Sequence, residues 1–268
     1  MILAPHALGL LGSIMGCRPV EQAPADLDGL LHYYWAGHES GSDAQLAEAT
    51  LNLHAVVGAD LEEIVDGALS DLSAEEVSQV GRSGDEAGLA AGIYMINAFP
   101  CTLSELEPVV IYQDQSELYE GIYDSYDRTY TTDRDAFTAG SSQTLEWEVS
   151  YSASVLGTGY QAVLQGGVRR IPTIDAEQSP FGPVLLAWSF LPTPAEFEND
   201  EKNLNQDYQI EIYYERTSGE LLHAYGLWRE ADFGAGFSSE DEGVQRLLLN
   251  SLADWDAETE RLCEEGLP

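Results

Sequence analysis

Basic residues are scarce. Lysine and arginine together number 11 against 47 aspartates and glutamates, the single lysine is Lys202, and the formal net charge is −36. A nucleic-acid surface needs a basic footprint to displace counterions, so that class is excluded. Docking on anionic lipid through side-chain charge is excluded for the same reason. Cysteine is nearly absent too, with 3 in 268 residues and none in a CxxC spacing, which speaks against zinc or thiol-redox chemistry. The five histidines, His6, His32, His38, His54 and His223, include no i, i+4 zinc pair and no HExxH. GxSxG is missing, and Gly157-Thr158-Gly159 lacks the third glycine and the lysine of a phosphate loop. No catalytic constellation is in view, so the chain reads as a non-enzyme without cofactor. What is present is ordinary for a globular protein: 44% hydrophobic and 10% aromatic residues, in a length that suits one large domain or two small ones.

The N-terminus carries the strongest local signal. Residues 7–15 are apolar or small and uncharged. A spanning helix needs about 20 such residues, whereas a secretory signal core needs roughly 7–15. Ile14-Met15-Gly16 then precedes Cys17. This sequence resembles the lipobox of bacterial lipoproteins. The resemblance implies a signal peptide over 1–16, diacylglycerol on the Cys17 thiol, and a tether over 17–26, where the chain is polar and contains proline. It further implies export and anchoring in a bacterial membrane, the outer membrane in a Gram-negative host because Arg18 and not aspartate follows the cysteine. Acyl chains hold by about 0.8 kcal/mol per buried CH₂, so an acidic body needs no basic patch.

Cys101 and Cys263 remain as an even pair in an exported chain. They form a candidate disulfide, with two separate buried thiols as the alternative.

Residues 27–98 read as a helical region. Asp26 is placed to cap a helix through Leu27, Leu30, Leu31 and Tyr34. Ser42 precedes a second with Leu46, Leu51, Leu53 and Val57. A third is expected through Leu61, Ile64, Val65, Leu69 and Leu72, and Ser73 with Glu76 makes a capping box before Val77 and Val80. After Pro100 the period changes to two. Strands are expected at 109–112, 118–130, 145–155, 160–171, 184–191, 208–215 and 221–228. In 145–155, Leu145, Trp147, Val149, Tyr151, Ala153 and Val155 share one face and glutamates and serines the other, the mark of a sheet with one wet side. Ser239 and Glu242 form a second capping box before Val244, Leu248, Leu252, Trp255 and Leu262, an amphipathic helix expected on the sheet's apolar face.

The expected fold class is therefore α+β: short N-terminal helices, a curved antiparallel sheet of six or seven strands, and a long C-terminal helix, with 99–268 and the helical region forming one compact unit. Residues 100–265 in this arrangement resemble the START-like helix-grip fold and the half-barrels of periplasmic lipoprotein carriers.

Two further features invite chemistry. Asp124, Asp127, Asp133 and Asp135 lie close in sequence, and Glu198-Asn199-Asp200 opens a polar loop ending at Asp207; neither follows the EF-hand order, so both read as solvated surface without a metal. Fourteen tyrosines, most of them in the β region, read as sheet packing or as the wall of an amphipathic pocket. The functional expectation is a lipid-anchored envelope protein, a binding or scaffold module. The alternative is a carrier that holds an apolar ligand between sheet and C-terminal helix.

Overall fold

A computed structural model describes residues 22–57, 61–173 and 181–268. Asp26 opens α1 (Leu27–Gly37) by accepting the Gly29 amide at 2.9 Å. Ser42 and Gln45 exchange bonds at the start of α2 (Asp43–Val57). A short edge strand, β1 (Val65–Leu69), follows, then α3 (Ala74–Ser78), where the Ser73–Glu76 capping box is formed. Next come β2 (Ala91–Pro100), α4 (Leu103–Val110), β3 (Ser125–Tyr130) and α5 (Arg134–Thr138). The long strands are β4 (Thr144–Val155), β5 (Thr158–Ile171), β6 (Val184–Phe190), β8 (Asn203–Thr217) and β9 (Glu220–Asp232), with a two-residue β7 (Glu196–Phe197) beside β5. The chain closes in α6 (Glu242–Glu265).

The strands form one antiparallel sheet in the order β1-β2-β9-β8-β6-β5-β4-β3. The α+β expectation holds, with the long C-terminal helix gripped by the sheet. β4 turns into β5 through Leu156 and Gly157, both with positive φ (47° and 75°), the twist a two-residue hairpin needs. β6 is central, as its unbroken apolar run implies.

Several expectations are corrected. The sheet has nine strands, not six or seven: β1 and β2 lie in 27–98, which is not wholly helical, and β7 is added, while 109–112 is not a strand. The expected third helix is instead β1, which pairs with β2 from Val65↔Ile96 to Leu69↔Gly92. β-Branched Ile64 and Val65 and the following Gly67 are poor helix formers, and β2 supplies a partner. The expected strand at 109–112 is the end of α4 and the turn after it. Thr102 and Glu105 form a capping box that starts this helix, and Pro108 lies within it. Of 118–130 only Ser125–Tyr130 is strand. The Ser239–Glu242 box is not made: Asp241 is the N-cap, its carboxylate accepts from Ser238 and not from the first amides of the helix, and the Ser239 hydroxyl accepts the Ala231 amide at 3.2 Å. At the end of the expected tether, Ala23 is buried and Asn52 donates to the Ala23 and Pro24 carbonyls.

Helices cover both faces of the sheet. On one side α1, α2 and α3 enclose a continuous core with Leu186, Trp188, Tyr208, Ile210, Ile212, Tyr214, Leu222, Ala224 and Trp228. On the other lie α4, α5 and α6. The apolar face of β8 therefore belongs to α1 and α2, and α6 lies over the face carrying Asp207, Gln209, Glu211 and Tyr213, contrary to the expectation from the sequence.

Candidate functional site

Cys101, after β2, and Cys263, near the end of α6, are joined in a disulfide with Cα atoms 5.6 Å apart. It ties the helix to the corner where α4 begins. At its other end α6 rests Leu249, with Leu248 and Leu252 beside it, on Ile93, Met95, Tyr225 and Leu227. Between these attachments the sheet mixes polar and small residues with apolar ones. Reading across paired positions, Tyr225, Glu211, Ala187 and Val168 form one row; Leu227, Gln209, Ser189, Gly166 and Trp147 form the next. Glu211, Gln209 and Ser189 are half-buried. Apolar packing on this side breaks into four separate clusters, where the α1–α2 side has a single continuous one.

A run of aromatic rings bridges helix and sheet. Trp255 of α6 stacks on Tyr119 at 4.0 Å between centroids and meets Tyr123 edge-on at 6.3 Å. Tyr123 touches Tyr126 at 4.9 Å and Tyr151 at 5.5 Å; Tyr151 then meets Tyr160 at 5.9 Å, and Tyr160 stacks on Phe197 at 5.0 Å. Burial pushes the hydroxyls of Tyr123, Tyr151 and Tyr225 well above their ordinary pKa, so these rings present neutral O–H groups at every physiological pH. Outside the Tyr119–Trp255 stack lies an open pocket of about 590 Å³, bounded by Glu120–Ile122 and by Ser251, Asp254, Glu258 and Arg261 of α6. A second, of about 440 Å³, lies between β1 and the start of α6, where Arg246 pairs with Asp66 at 3.0 Å.

Two ionic groups sit on the floor beneath the helix. His223 Nδ1 meets Asp256 Oδ1 at 2.8 Å, and its Nε2 lies 3.4 Å from Glu211 Oε2. Asn97 donates to the second Asp256 oxygen at 3.0 Å, Tyr213 donates to Glu211, and the Tyr213 ring stacks on His223 at 4.1 Å. Burial lowers the His223 pKa, but the two carboxylates more than offset it and raise it to about 9. At neutral pH this is an imidazolium held between two carboxylates. It has no proton vacancy to act as a base, and no serine or cysteine stands on it among its hydrogen-bond partners, so the cluster joins β2, β8 and β9 to α6. The second group is Arg229, bonded to Asp207 at 2.5 Å with Gln209 donating to the other Asp207 oxygen. Burial disfavours the Arg229 charge, and Asp207 overrides it and raises the pKa.

The structure distributes the sequence candidates unevenly. Cys17 and its lipobox lie outside the described residues. Asp133 caps α5 and Asp124 accepts from Ser154, while no group of three His, Cys, Asp or Glu among the described residues is arranged to hold a metal. No helix among the described residues is long and apolar enough to cross a membrane. Gln209, Glu211, Arg229 and Asp256 are not singled out by the sequence reading, and Asp207, read there as the end of a solvated loop, is 2% exposed and paired with Arg229. Gln209 and Glu211 alternate with an apolar face and read as a wet side; Asp256, expected on the exposed side of α6, is 2% exposed.

A grip of an open antiparallel sheet on a long C-terminal helix defines the architectural class. No family model matches the chain, and no curated protein matches it. Three solved structures are similar in outline. A START superfamily protein from Mycobacterium smegmatis has 8% identity and a TM-score of 0.43, covering 65% of this chain and 97% of that one. Human StAR-related lipid transfer protein 5 has 8% identity and a TM-score of 0.44, covering 83% and 97%. The lipid transfer and protein localization domain of human StarD13 (DLC2) has 15% identity and a TM-score of 0.39, covering 68% and 79%.

Proposed function

We propose that this protein is a non-enzymatic carrier that binds an amphipathic ligand between the sheet and α6, and that acylated Cys17 tethers it to a bacterial membrane. The observation that carries the first part is the half-buried, ring-lined and polar character of the sheet beneath α6. Gln209 and Glu211 are half-buried and bonded to Asp207 and Tyr213, yet a purely packing interior would place aliphatic residues at these positions and at Ser189 with less desolvation cost. A ligand with an apolar body and polar edges would use all of them. The rings supply stacking surface, and their un-ionised hydroxyls supply hydrogen bonds.

The test is binding of the neutral dye Nile red, with native mass spectrometry of protein purified from membranes. Wild type is expected to bind one dye molecule with a blue-shifted emission. Ser189→Phe, which places a ring in the middle of the crevice, should weaken binding by about ten-fold or more while unfolding as wild type does. A wild type that takes up no dye, or a folded Ser189→Phe that binds unchanged, overturns the reading. For the anchor, Cys17→Ser should move the full chain from the detergent phase to the aqueous phase. Retention in detergent overturns that part alone.

A further inference from the structure

Among the described residues, seven arginines are matched to carboxylates. Arg82 pairs with Glu86, Arg169 with Asp43, Arg170 with Glu107, Arg229 with Asp207, Arg246 with Asp66 and Arg261 with Glu258. Arg216 pairs with Glu220. Arg128, on β3, departs from this. It is 5% exposed, and no carboxylate among the described residues lies within ion-pair reach of it. Its terminal nitrogens donate to the Val110 carbonyl and the Tyr126 hydroxyl, each at 2.7 Å, and its guanidinium lies 4.3 Å from the Trp147 ring centre. Its Nε–H, fully buried, has no acceptor. A buried cation without counter-charge is expensive, and this chain has 47 acidic side chains from which a partner could have come. Arg134, the other described arginine with no carboxylate in ion-pair reach, is half-exposed, over Tyr130 at 5.1 Å.

Arg128 also stands in a telling place. Its strand neighbour Tyr126 contacts Tyr123, and Tyr123 contacts Trp255 of α6. The guanidinium, bonded to two neutral oxygens but with Nε–H unsatisfied and no carboxylate in reach among the described residues, therefore stands at one end of the aromatic run beneath the helix. We propose that Arg128 recognises an acidic headgroup, and that the ligand of the crevice is an anionic amphiphile whose apolar part lies along Tyr123, Tyr151 and Trp255. The inference rests on the crevice being a ligand site. Carboxylate and phosphate share the needed chemistry: a planar or tetrahedral anion accepts from a guanidinium edge, and low dielectric strengthens the contact. A protein of net charge −36 repels anions at long range, so only a buried, unscreened cation could hold one.

The experiment compares cis-parinaric acid with its methyl ester, by fluorescence, on the full chain. The ester keeps the polyene tail and removes the charge. Wild type should bind the acid at least about ten-fold more tightly than the ester. Arg128→Met should bring that ratio to about one and leave ester affinity within about two-fold, whereas Arg128→Lys should keep part of the preference. Dodecyl phosphate displacing the acid more strongly than dodecanoate would assign the headgroup to phosphate, and the reverse to carboxylate. Equal binding of acid and ester by wild type overturns the proposal while leaving the crevice intact. So does a folded Arg128→Met that keeps the preference. Because Arg128 also fastens the Val110 segment to β3, a salt series on wild type gives a second test independent of any variant. Between about 0.02 and 0.5 M salt the acid-to-ester ratio should hold or rise, since screening weakens the repulsion and spares the buried contact. A ratio falling to one would mark surface association and overturn the proposal. If neither probe nor Nile red binds, the crevice reading fails and takes this one with it.

Discussion

Along β8, Tyr208, Ile210, Ile212 and Tyr214 face α1 and α2 and are each 0% exposed, while Asp207, Gln209, Glu211 and Tyr213 face α6. One strand thus serves two interiors of different chemistry. The α1–α2 side is filled: Trp35 meets Tyr208 at 5.5 Å and Trp228 at 6.4 Å, and its cluster runs unbroken from Ala23 to Trp228. The α6 side is held at its ends, by Leu249 over β2 and β9 and by the Cys101–Cys263 bond, with ionic groups and rings between. Apolar burial supplies stability without direction, whereas oriented polar groups cost stability and confer recognition. The first interior holds the fold, and the second carries the proposed ligand site.

If that division is right, the largest effects should come from the two fastenings. Reducing the disulfide frees a cross-link of sequence separation 162 and should lower unfolding stability by about 4–5 kcal/mol in urea titrations. Two thiols titrating in the unfolded, unreduced chain would refute the bond. Next, Trp35→Ala on the filled side should cost about 3–5 kcal/mol, as a buried aromatic leaves a cavity. Trp255→Ala on the α6 side should cost about 2 kcal/mol, the stack plus the area of a half-buried ring, and impair ligand binding as well. Comparable stability losses at the two tryptophans would break the contrast between the faces.

The two buried histidines sharpen it through opposite responses to pH. His38, on the filled side, has its pKa lowered to about 4 by burial, only partly opposed by its bond to the Trp35 carbonyl. Its contribution is present above about 6.5 and is lost as pH falls toward 4, because the unfolded chain takes the proton first. His223, raised to about 9, contributes below about 6.5, and that contribution disappears as pH climbs through 9. Each is worth about 3 kcal/mol by linkage. Unfolding free energy measured from pH 4 to 9.5 should show a shallower alkaline fall in His223→Gln and a shallower acid fall in His38→Phe. The remainder belongs to His32, where burial is outweighed by Glu76 and the pKa rises, and to the lowered carboxylates of Glu76, Glu220 and Glu258. A wild-type profile flat between pH 6.5 and 9 would remove the ionic bridge to α6.

Much of the frame was legible before any coordinates. The alternation from Leu145 to Val155, the apolar run from Val184, the Ser73–Glu76 box and the amphipathic tail each follow from a local period or cap, and each element is where the period places it. β1 and β2 were not legible. β2 is covered on both faces, so AGIYMINAFP shows no alternation to distinguish it from a buried helix. α4 was missed because it is only 8 residues long and contains Pro108, too little for a helical period to emerge.

The site was less legible still. Gln209, Glu211 and Asp256 sit at positions that any periodic reading assigns to water, since a carboxylate opposite an apolar stripe is normally solvated. The sequence by itself determined the acidity, the period of each long strand and the amphipathic form of the last helix, because these depend on neighbours a few residues away. Only the tertiary structure decided which side of β8 meets α6. Placing β9 between β2 and β8 brings Asn97, His223 and Glu211 under one turn of that helix, and a contact between residues so distant in the chain leaves no trace in local order.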